Sequence, residues 1–181
     1  MNLESVYGLK CARVSDINEH LPTLKQYASE CDHVTEMGVR KIVSTYGLLA
    51  GRPKKMISID LRHPITMGGD FELLIKIATE AEVDFSFIRA NTREIDIEET
   101  DLLFIDTYHS YEQLKIELAK HGSKARKYII LHDTATFGYV DMNGFGRGLM
   151  PALDEFLVTN PEWCIKEQFD NNNGLTVVAR I

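Results

Sequence analysis

The sequence predicts an α/β fold, a Rossmann-like, doubly wound and mostly parallel sheet of about seven strands that ends in an antiparallel β-hairpin. Two observations carry this prediction. Short apolar runs alternate along the chain with segments of helical periodicity, which is the pattern of a parallel sheet with helices on both faces. After the fifth run this alternation stops, and two strand-like segments follow one another around an Asn-rich turn, which is typical of a hairpin.

Five runs are the predicted parallel strands, in the order HVTEM, KMISI, DFSFI, DLLFI and KYIIL. The last four lack the in-and-out alternation of a half-exposed sheet, so we expect them to be buried on both faces. Helices are predicted at residues 42–50, 71–81 and 111–121. The last of these opens with Ser110 and Gln113 at capping-box spacing. Only a short acidic stretch joins the third run to the fourth, so this crossover should be brief.

The two ends of the chain frame this core. A helix at about residues 17–30 precedes the first strand and could pack beside the sheet or cover its mouth. A helix at residues 148–159 precedes WCIKEQF and LTVVARI, the two strands of the predicted terminal hairpin. We expect one domain over residues 1–181, with an N-terminal helical segment at 1–30 and a core at 31–181.

Composition excludes several classes of function. The 181 residues carry a net charge of −7 and no dense Lys/Arg stripe, so a nucleic-acid partner is not expected. No targeting signal opens the chain, and no apolar run approaches the ~18 residues of a membrane span. Three cysteines lie far apart and in no CxxC pair, which argues against a disulfide framework or a zinc knuckle. We therefore expect a cytoplasmic protein without a membrane partner, and the sequence is compatible with a homo-oligomer.

Polar residues follow every predicted parallel strand. Ligands of doubly wound sheets bind outside the carboxyl ends of the strands, so these residues are the candidates for a functional site. They are Glu36 and Gly38 after the first strand, Asp60 after the second, Asn91 and Thr92 after the third, Asp106 through His109 after the fourth, and His132 with Asp133 after the fifth.

Asp60 has the spacing of a ribose-binding carboxylate. It closes the second strand 22 residues beyond Gly38, where a carboxylate can accept hydrogen bonds from both hydroxyls of a ribose. An Asp that caps a turn is the structural alternative. No Gly-x-x-x-x-Gly-Lys loop is present, so a triphosphate ligand is not expected.

The fourth and fifth strand ends carry a second constellation. Asp106 and His109 share one loop, and His132 with Asp133 follows the neighbouring strand. Carboxylates and imidazoles that converge on adjacent strand ends can hold a divalent cation or move a proton. Any one of them alone would more simply be a helix cap or a buried, hydrogen-bonded histidine.

These residues together resemble the class I S-adenosylmethionine-dependent methyltransferases. More narrowly, they are similar to the branch that includes the cephalosporin hydroxylases and the macrolide-sugar O-methyltransferases. The stretches that carry the resemblance run in order from Val34 to about Asp133: Glu36-x-Gly38 with Ser44 and Thr45, Asp60, Ala90-Asn91-Thr92, LLFIDTYHSYEQLKIEL and YIILHD.

The resemblance implies a role for each matched residue. Glu36 and Gly38 would hold the methionine half of the cofactor, Asp60 its ribose, and Asn91 with Thr92 its adenine edge. The full cofactor set would be Glu36, Gly38, Arg40, Ser44, Asp60, Asn91, Thr92 and Asp106. The metal ligands, for Mg²⁺ or Mn²⁺, would be Asp106, His132 and Asp133. The catalytic residues would be Asp106 and, as general base for a substrate hydroxyl, His109.

Two departures from the family pattern affect this interpretation. Family members usually carry Gly-x-Gly-x-Gly where this chain has Gly38, Arg40 and Ile42, so Arg40 would offer a cation to the methionine carboxylate. His132 stands where the family often has Glu, and imidazole suits Mn²⁺ better than Mg²⁺. The sequence favours metal-assisted O-methylation of a small molecule or sugar. The alternatives are a non-catalytic binding or assembly module with this fold and, disfavoured by the missing glycines, an NAD-dependent oxidoreductase.

Overall fold

A computed structural model describes all 181 residues. Its seven strands are β1 His33–Met37, β2 Lys55–Asp60, β3 Asp84–Arg89, β4 Thr100–Ile105, β5 Ala125–His132, β6 Trp163–Phe169 and β7 Leu175–Arg180. Its six α-helices are α1 Leu3–Ala12, α2 Leu21–Ala28, α3 Ser44–Leu49, α4 Phe71–Glu80, α5 Tyr111–His121 and α6 Met150–Thr159. Short 3-10 turns cover Asn18–His20, Pro64–Met67 and Gly122–Lys124.

All seven strands form one sheet in the order β3-β2-β1-β4-β5-β7-β6. Strands β1 to β5 are parallel to one another, whereas β7 pairs antiparallel with both β5 and β6. The predicted fold class is therefore confirmed, including the terminal hairpin. The strand order reverses between β1 and β4, and this switch point opens the crevice in which doubly wound sheets bind ligands.

The prediction that DFSFI is buried on both faces is wrong. This run forms β3, an edge strand that pairs with β2 alone, and none of its six residues is buried. Phe85 and Phe87 alternate with polar neighbours and pack on one face beside Phe71 of α4. The alternation was present in the sequence, but Ile88, the last residue of the run, directly follows Phe87 and obscures it.

Helix positions agree with the sequence patterns except near the N-terminus. The α5 helix begins as predicted, because the Ser110 hydroxyl oxygen accepts a hydrogen bond from the Gln113 amide at 3.3 Å. The structure adds α1, which the sequence did not reveal. Only Leu3 and Val6 of that helix are buried, so its apolar periodicity is too weak to recognise.

Helices cover the two faces of the sheet unequally. Helices α1 to α4 pack with one face into the larger apolar cluster, whereas α5 and α6 pack with the other face into a smaller one. None of the helices combines the length and the apolar composition that crossing a bilayer would need.

Candidate functional site

Two adjoining cavities open at the carboxyl edge of the sheet. We call the first, of about 500 Å³, the strand-end cavity, because it is lined by residues that follow β1 to β5. We call the second, of about 620 Å³, the N-terminal cleft, because residues 10–17 form one of its walls. Asp16, Arg40 and Asp106 line both spaces, so the two cavities meet at these side chains.

The fold brings most of the predicted cofactor residues to these cavities. The strand-end cavity is lined by Gly38, Arg40, Asp60, Asn91, Thr92 and Asp106, together with His109 and Asp133 from the second constellation. Ser44 lines the N-terminal cleft. Glu36 lines neither cavity, because its side chain is completely buried beneath the loop that follows β1.

The loop after β1 keeps a glycine-like backbone although two of its positions are not glycine. Gly38, Arg40 and Ile42 have φ angles of 87°, 45° and 53°, at the alternate positions where the resembling family carries glycines. A left-handed backbone costs roughly 1–2 kcal/mol for a residue with a Cβ, and a β-branched residue such as Ile is rare there. The loop is therefore strained at Arg40 and Ile42.

Close packing requires a glycine at position 38. A Cβ atom at this position would lie 1.9 Å from the main-chain carbonyl oxygen of Asp106. The end of β1 and the end of β4 approach so closely that no side chain fits between them.

Asp60 stabilises the strained loop as well as lining the cavity. One carboxylate oxygen accepts hydrogen bonds from the amides of Val39 and Arg40, at 2.8 and 3.1 Å. The other oxygen accepts one from the amide of Arg62 at 2.9 Å. Carboxylate oxygens have further lone pairs, so these bonds leave Asp60 able to accept from a ligand.

Glu36 is a buried support for the same loop. Its carboxylate accepts hydrogen bonds from the hydroxyls of Ser44 and Ser58, both at 2.6 Å, and from Thr45 at 2.9 Å. Burial raises the pKa of Glu36 to about 7, although the three hydroxyls oppose this effect. Glu36 thereby links β1, β2 and the start of α3, and it reaches the N-terminal cleft only through Ser44.

Arg40 is paired with a residue that the sequence did not single out. Its guanidinium forms an ion pair with Asp16, and both side chains are substantially exposed. Because both residues line both cavities, this pair stands at the junction between them.

The second constellation converges as predicted. Nε2 of His109 lies 3.2 Å from Oδ1 of Asp106 and 2.9 Å from Oδ2 of Asp133. Nδ1 of His132 faces the same two oxygens at 3.4 and 3.3 Å. Side-chain ligand atoms of Asp106, His109 and Asp133 all lie within 4.8 Å of one another. This set matches the spacing of a divalent cation site.

The two histidines differ in their surroundings. The ring of His109 faces the strand-end cavity and stacks on Phe137, with ring centroids 5.0 Å apart and planes 8° apart. His132 lies behind the carboxylates and is 1% exposed, and its Nε2 is 3.1 Å from the carbonyl oxygen of Asn172.

Charge is concentrated in this cluster. Burial alone would lower the pKa of each histidine, but the two carboxylates outweigh it and raise the pKa of His109 to about 9 and that of His132 to about 10. Burial would likewise raise the pKa of Asp106 and of Asp133, and the histidines instead hold both pKa values below the usual range.

Asp133 has further features of a ligand-binding residue. Its backbone is left-handed, with φ of 62°, and its Oδ1 is buried without a hydrogen-bond partner. A buried carboxylate oxygen with no donor is costly, and a cation beside it would remove that cost. The donor set of carboxylate oxygens and imidazole nitrogens therefore fits a divalent metal ion.

Sequence reasoning missed Glu117 of α5. This buried carboxylate accepts hydrogen bonds from the hydroxyls of Thr92 and Thr107 and from the side-chain amide of Gln113. It thereby ties the ends of β3 and β4 together under the strand-end cavity. The Thr92 hydroxyl is engaged with Glu117, and the Thr92 carbonyl oxygen lies 2.7 Å from Nε2 of His121, so the main-chain amide of Thr92 is the part that remains for a ligand. A charged residue on the buried face of a helix was the signal that could have identified Glu117.

The comparisons with known proteins bear on the fold. No protein-family model matches this sequence, and no curated protein sequence matches it. An O-methyltransferase from Bacillus cereus, in complex with SAH, superposes with a TM-score of 0.68 at 14% identity, over 99% of this chain and 90% of that one. An SAH-bound methyltransferase from Podospora anserina gives a TM-score of 0.63 at 13% identity, over 99% and 87%. The O-methyltransferase TomG from Streptomyces achromogenes, in complex with SAM, gives 0.60 at 16%, over 93% and 81%.

This likeness confirms the predicted fold. The chain shares the Rossmann-like fold of these methyltransferase structures along nearly its whole length. At these identities the comparison concerns the fold, so the function is argued from the site itself.

Proposed function

We propose that the protein is an S-adenosylmethionine-dependent O-methyltransferase that acts, with the help of a divalent cation, on a hydroxyl of a small molecule or sugar. One observation carries this proposal. A single cavity joins Asp60, at the end of β2, to the cluster of Asp106, His109 and Asp133. One space thus contains both a wall suited to a nucleoside and a cluster suited to activating a hydroxyl.

The cofactor would lie across the switch point of the sheet. Asp60 would accept hydrogen bonds from the ribose hydroxyls while it continues to hold the loop after β1. Asn91 and the main chain of Thr92 would face the adenine. The methionine end would lie towards Arg40, whose guanidinium can exchange Asp16 for the cofactor carboxylate.

The cluster of acids and histidines would prepare the acceptor hydroxyl. A hydroxyl is a poor nucleophile near neutral pH, and a bound divalent cation would lower the pKa of a hydroxyl that it coordinates. Asp106 and Asp133 would hold the cation. His109, which faces the cavity, would take the hydroxyl proton as the methyl group transfers. A cation held by Asp106 and Asp133 would offset the two negative charges that raise the pKa of His109, and the ring could then be neutral and accept the proton.

The contact made by Nε2 of His132 supports a role for its Nδ1 as a metal ligand. Histidines that bind metals usually donate their other N–H to a carbonyl or carboxylate, and Nε2 of His132 has the Asn172 carbonyl for this purpose. Nδ1 of His132 has no well-aligned hydrogen-bond partner. The competing assignment, in which His109 completes the site, rests on the closer convergence of Asp106, His109 and Asp133.

Calorimetric titration with SAM, SAH and NAD tests the cofactor assignment. We expect SAM and SAH to bind and NAD not to bind. Asp60→Asn should lower the affinity for SAH by about 10- to 150-fold, which corresponds to the loss of charge-assisted hydrogen bonds worth roughly 1.5–3 kcal/mol. Asp84→Asn, at the start of β3 and outside both cavities, makes the same chemical change at the opposite edge of the sheet and is the matched control. If Asp60→Asn binds SAH as tightly as the wild type does, Asp60 does not bind the ribose. If NAD binds more tightly than SAM and SAH, the methyltransferase assignment is wrong and the oxidoreductase is favoured.

The metal and base roles separate in a second experiment. A chelator should abolish turnover while SAH binding persists, because the cofactor wall follows β1 to β3. His109→Ala should lower kcat by roughly 10²–10⁴ while Mn²⁺ still binds, whereas His132→Ala should weaken Mn²⁺. If His109→Ala expels Mn²⁺ and His132→Ala does not, the two roles are exchanged. Binding of SAM without turnover on any hydroxyl acceptor would instead favour the non-catalytic module.

A further inference from the structure

The N-terminal cleft is a second large space, and of the residues assigned to the cofactor only Ser44 lies in it and not in the strand-end cavity. The strand-end cavity, at about 500 Å³, already has the size of a complete small-ligand site. The cleft adds about 620 Å³ and meets that cavity at Asp106. A methyltransferase binds two molecules, so the cleft is in the position where an acceptor would approach Asp106.

The walls of the cleft are cationic in a chain that is acidic overall. Its lining has four cations, Lys10, Arg13, Arg40 and Lys41, and two carboxylates, Asp16 and Asp106, in a protein with a net charge of −7. Arg40 is paired with Asp16, but no carboxylate lies within 4 Å of the charged groups of Lys10, Arg13 and Lys41. Burial lowers the pKa of Lys10, and the charge of Arg13 lowers it further.

The end of α1 explains these charges only in part. Lys10 lies in the last turn of that helix and Arg13 at its C-cap, where cations complement the helix dipole. Lys41 comes from the strained loop after β1, so the dipole of α1 does not account for its charge. Two distant parts of the chain therefore contribute unpaired cations to the same space.

We propose that the N-terminal cleft binds a phosphate group of the acceptor substrate through Lys10, Arg13 and Lys41. This inference rests on the proposed methyltransferase function, because it assigns the second cavity to the second substrate. A methionine carboxylate is the other source of an anion. That group carries one charge, and Arg40 at the cavity junction is placed to meet it. Three further cations exceed what one carboxylate needs and suit a doubly charged anion.

An acceptor held in this way would present its uncharged part to the reacting groups. The cleft opens onto Asp106, and Asp106 leads to His109 in the strand-end cavity. The cations would thus fix one end of the acceptor while the hydroxyl to be methylated lies beside the acid–histidine cluster.

Inorganic pyrophosphate is the probe for this anion site. It should be titrated into the full-length protein without divalent metal, both with and without saturating SAH. The double variant Arg13→Gln/Lys41→Gln should lower the affinity for pyrophosphate by about 10-fold or more, since each lost cation removes a charge-assisted contact. The control Arg52→Gln/Lys54→Gln removes the same charge from the turn that precedes β2, at the opposite edge of the sheet, and should change the affinity less than twofold.

The cofactor source is distinguished with SAH and 5′-methylthioadenosine, which lacks the carboxylate. If the double variant weakens SAH by 10-fold or more and leaves 5′-methylthioadenosine unchanged, the cations serve the cofactor and the proposal is overturned. Equal pyrophosphate affinity in the double variant and the control also overturns it. SAH binding that is unchanged while pyrophosphate weakens supports an acceptor anion. If SAM and SAH fail to bind the wild-type protein at all, the methyltransferase function fails, and the pyrophosphate titration still decides whether the cleft is an anion site.

Discussion

Replacement of Gly38 by alanine should be far more damaging than an ordinary glycine-to-alanine change. Two costs add at this position. The left-handed backbone, with φ of 87°, costs an alanine roughly 1–2 kcal/mol. The added Cβ would also lie 1.9 Å from the carbonyl oxygen of Asp106, and forcing such an overlap apart typically costs about 1–3 kcal/mol. We therefore expect Gly38→Ala to lower the free energy of unfolding by about 2–5 kcal/mol.

Gly144 is the matched control for this substitution. Its φ of 80° is nearly the same, but no atom lies within 4 Å of a Cβ built there. Gly144→Ala should therefore cost only the backbone part, about 1–2 kcal/mol. For a chain of 181 residues, each kcal/mol corresponds to roughly 2–4 °C in Tm. Denaturant unfolding of both variants measures the difference.

The same comparison tests the geometry of the site. Because the carbonyl that obstructs the Cβ belongs to Asp106, Gly38→Ala should move the end of β4 and weaken Mn²⁺ binding, whereas Gly144→Ala should leave it unchanged. A Gly38→Ala variant that is no less stable than Gly144→Ala would refute the close approach of β1 and β4.

Two further predictions concern the residues around this loop. Arg40→Gly should be more stable than Arg40→Ala by about 0.5–1 kcal/mol in thermal unfolding, because both lose the exposed ion pair but only glycine relieves the left-handed backbone; alanine as the more stable variant would contradict the strain. Glu36→Gln should flatten the pH dependence of stability between pH 4.5 and 7. The raised pKa of Glu36 favours the folded protein below pH 4.5, and that advantage is lost as pH rises through about 7. A rise in pKa from 4.5 to about 7, at 1.36 kcal/mol per pH unit, amounts to about 3 kcal/mol. Denaturant unfolding of wild type and variant at pH 5 and pH 8 measures this, and parallel pH profiles would show that Glu36 does not titrate in this range.

The sequence was sufficient for the sheet because its signals are local. The predicted strands HVTEM and WCIKEQF match β1 and β6 to the residue, and LTVVARI exceeds β7 by one residue. The Ser110 cap likewise marked the start of α5. Burial of β3 was mispredicted because strand order is a property of the whole sheet, and no local pattern places a strand at the edge. Helix α1 was missed because two buried residues do not make a periodic stripe.

The site was predictable where it depends on strand ends and obscure where it depends on long-range contacts. Parallel strands deliver their carboxyl ends to one edge, so the meeting of Asp60, Asp106 and Asp133 followed from topology. The sequence could not show that Asp16, from the N-terminal segment, pairs with Arg40. Nor could it show that Glu36 turns away from the cavities, because strand residues alternate between faces and only packing decides which face a polar residue occupies.

The loop after β1 keeps a left-handed backbone at Arg40 and Ile42 although neither residue is glycine. Three contacts oppose the strain at different points. Asp60 accepts two loop amides, and Gly38 fits against the main chain of Asp106. Ile42 is 1% exposed, and burial of an isoleucine side chain, worth roughly 1.5–3 kcal/mol, exceeds the roughly 1–2 kcal/mol cost of its backbone. Strain that the surroundings hold in place is characteristic of ligand-binding turns. The turn therefore has the backbone path that the proposed cofactor would follow, while Arg40 adds to it a charge that glycine lacks.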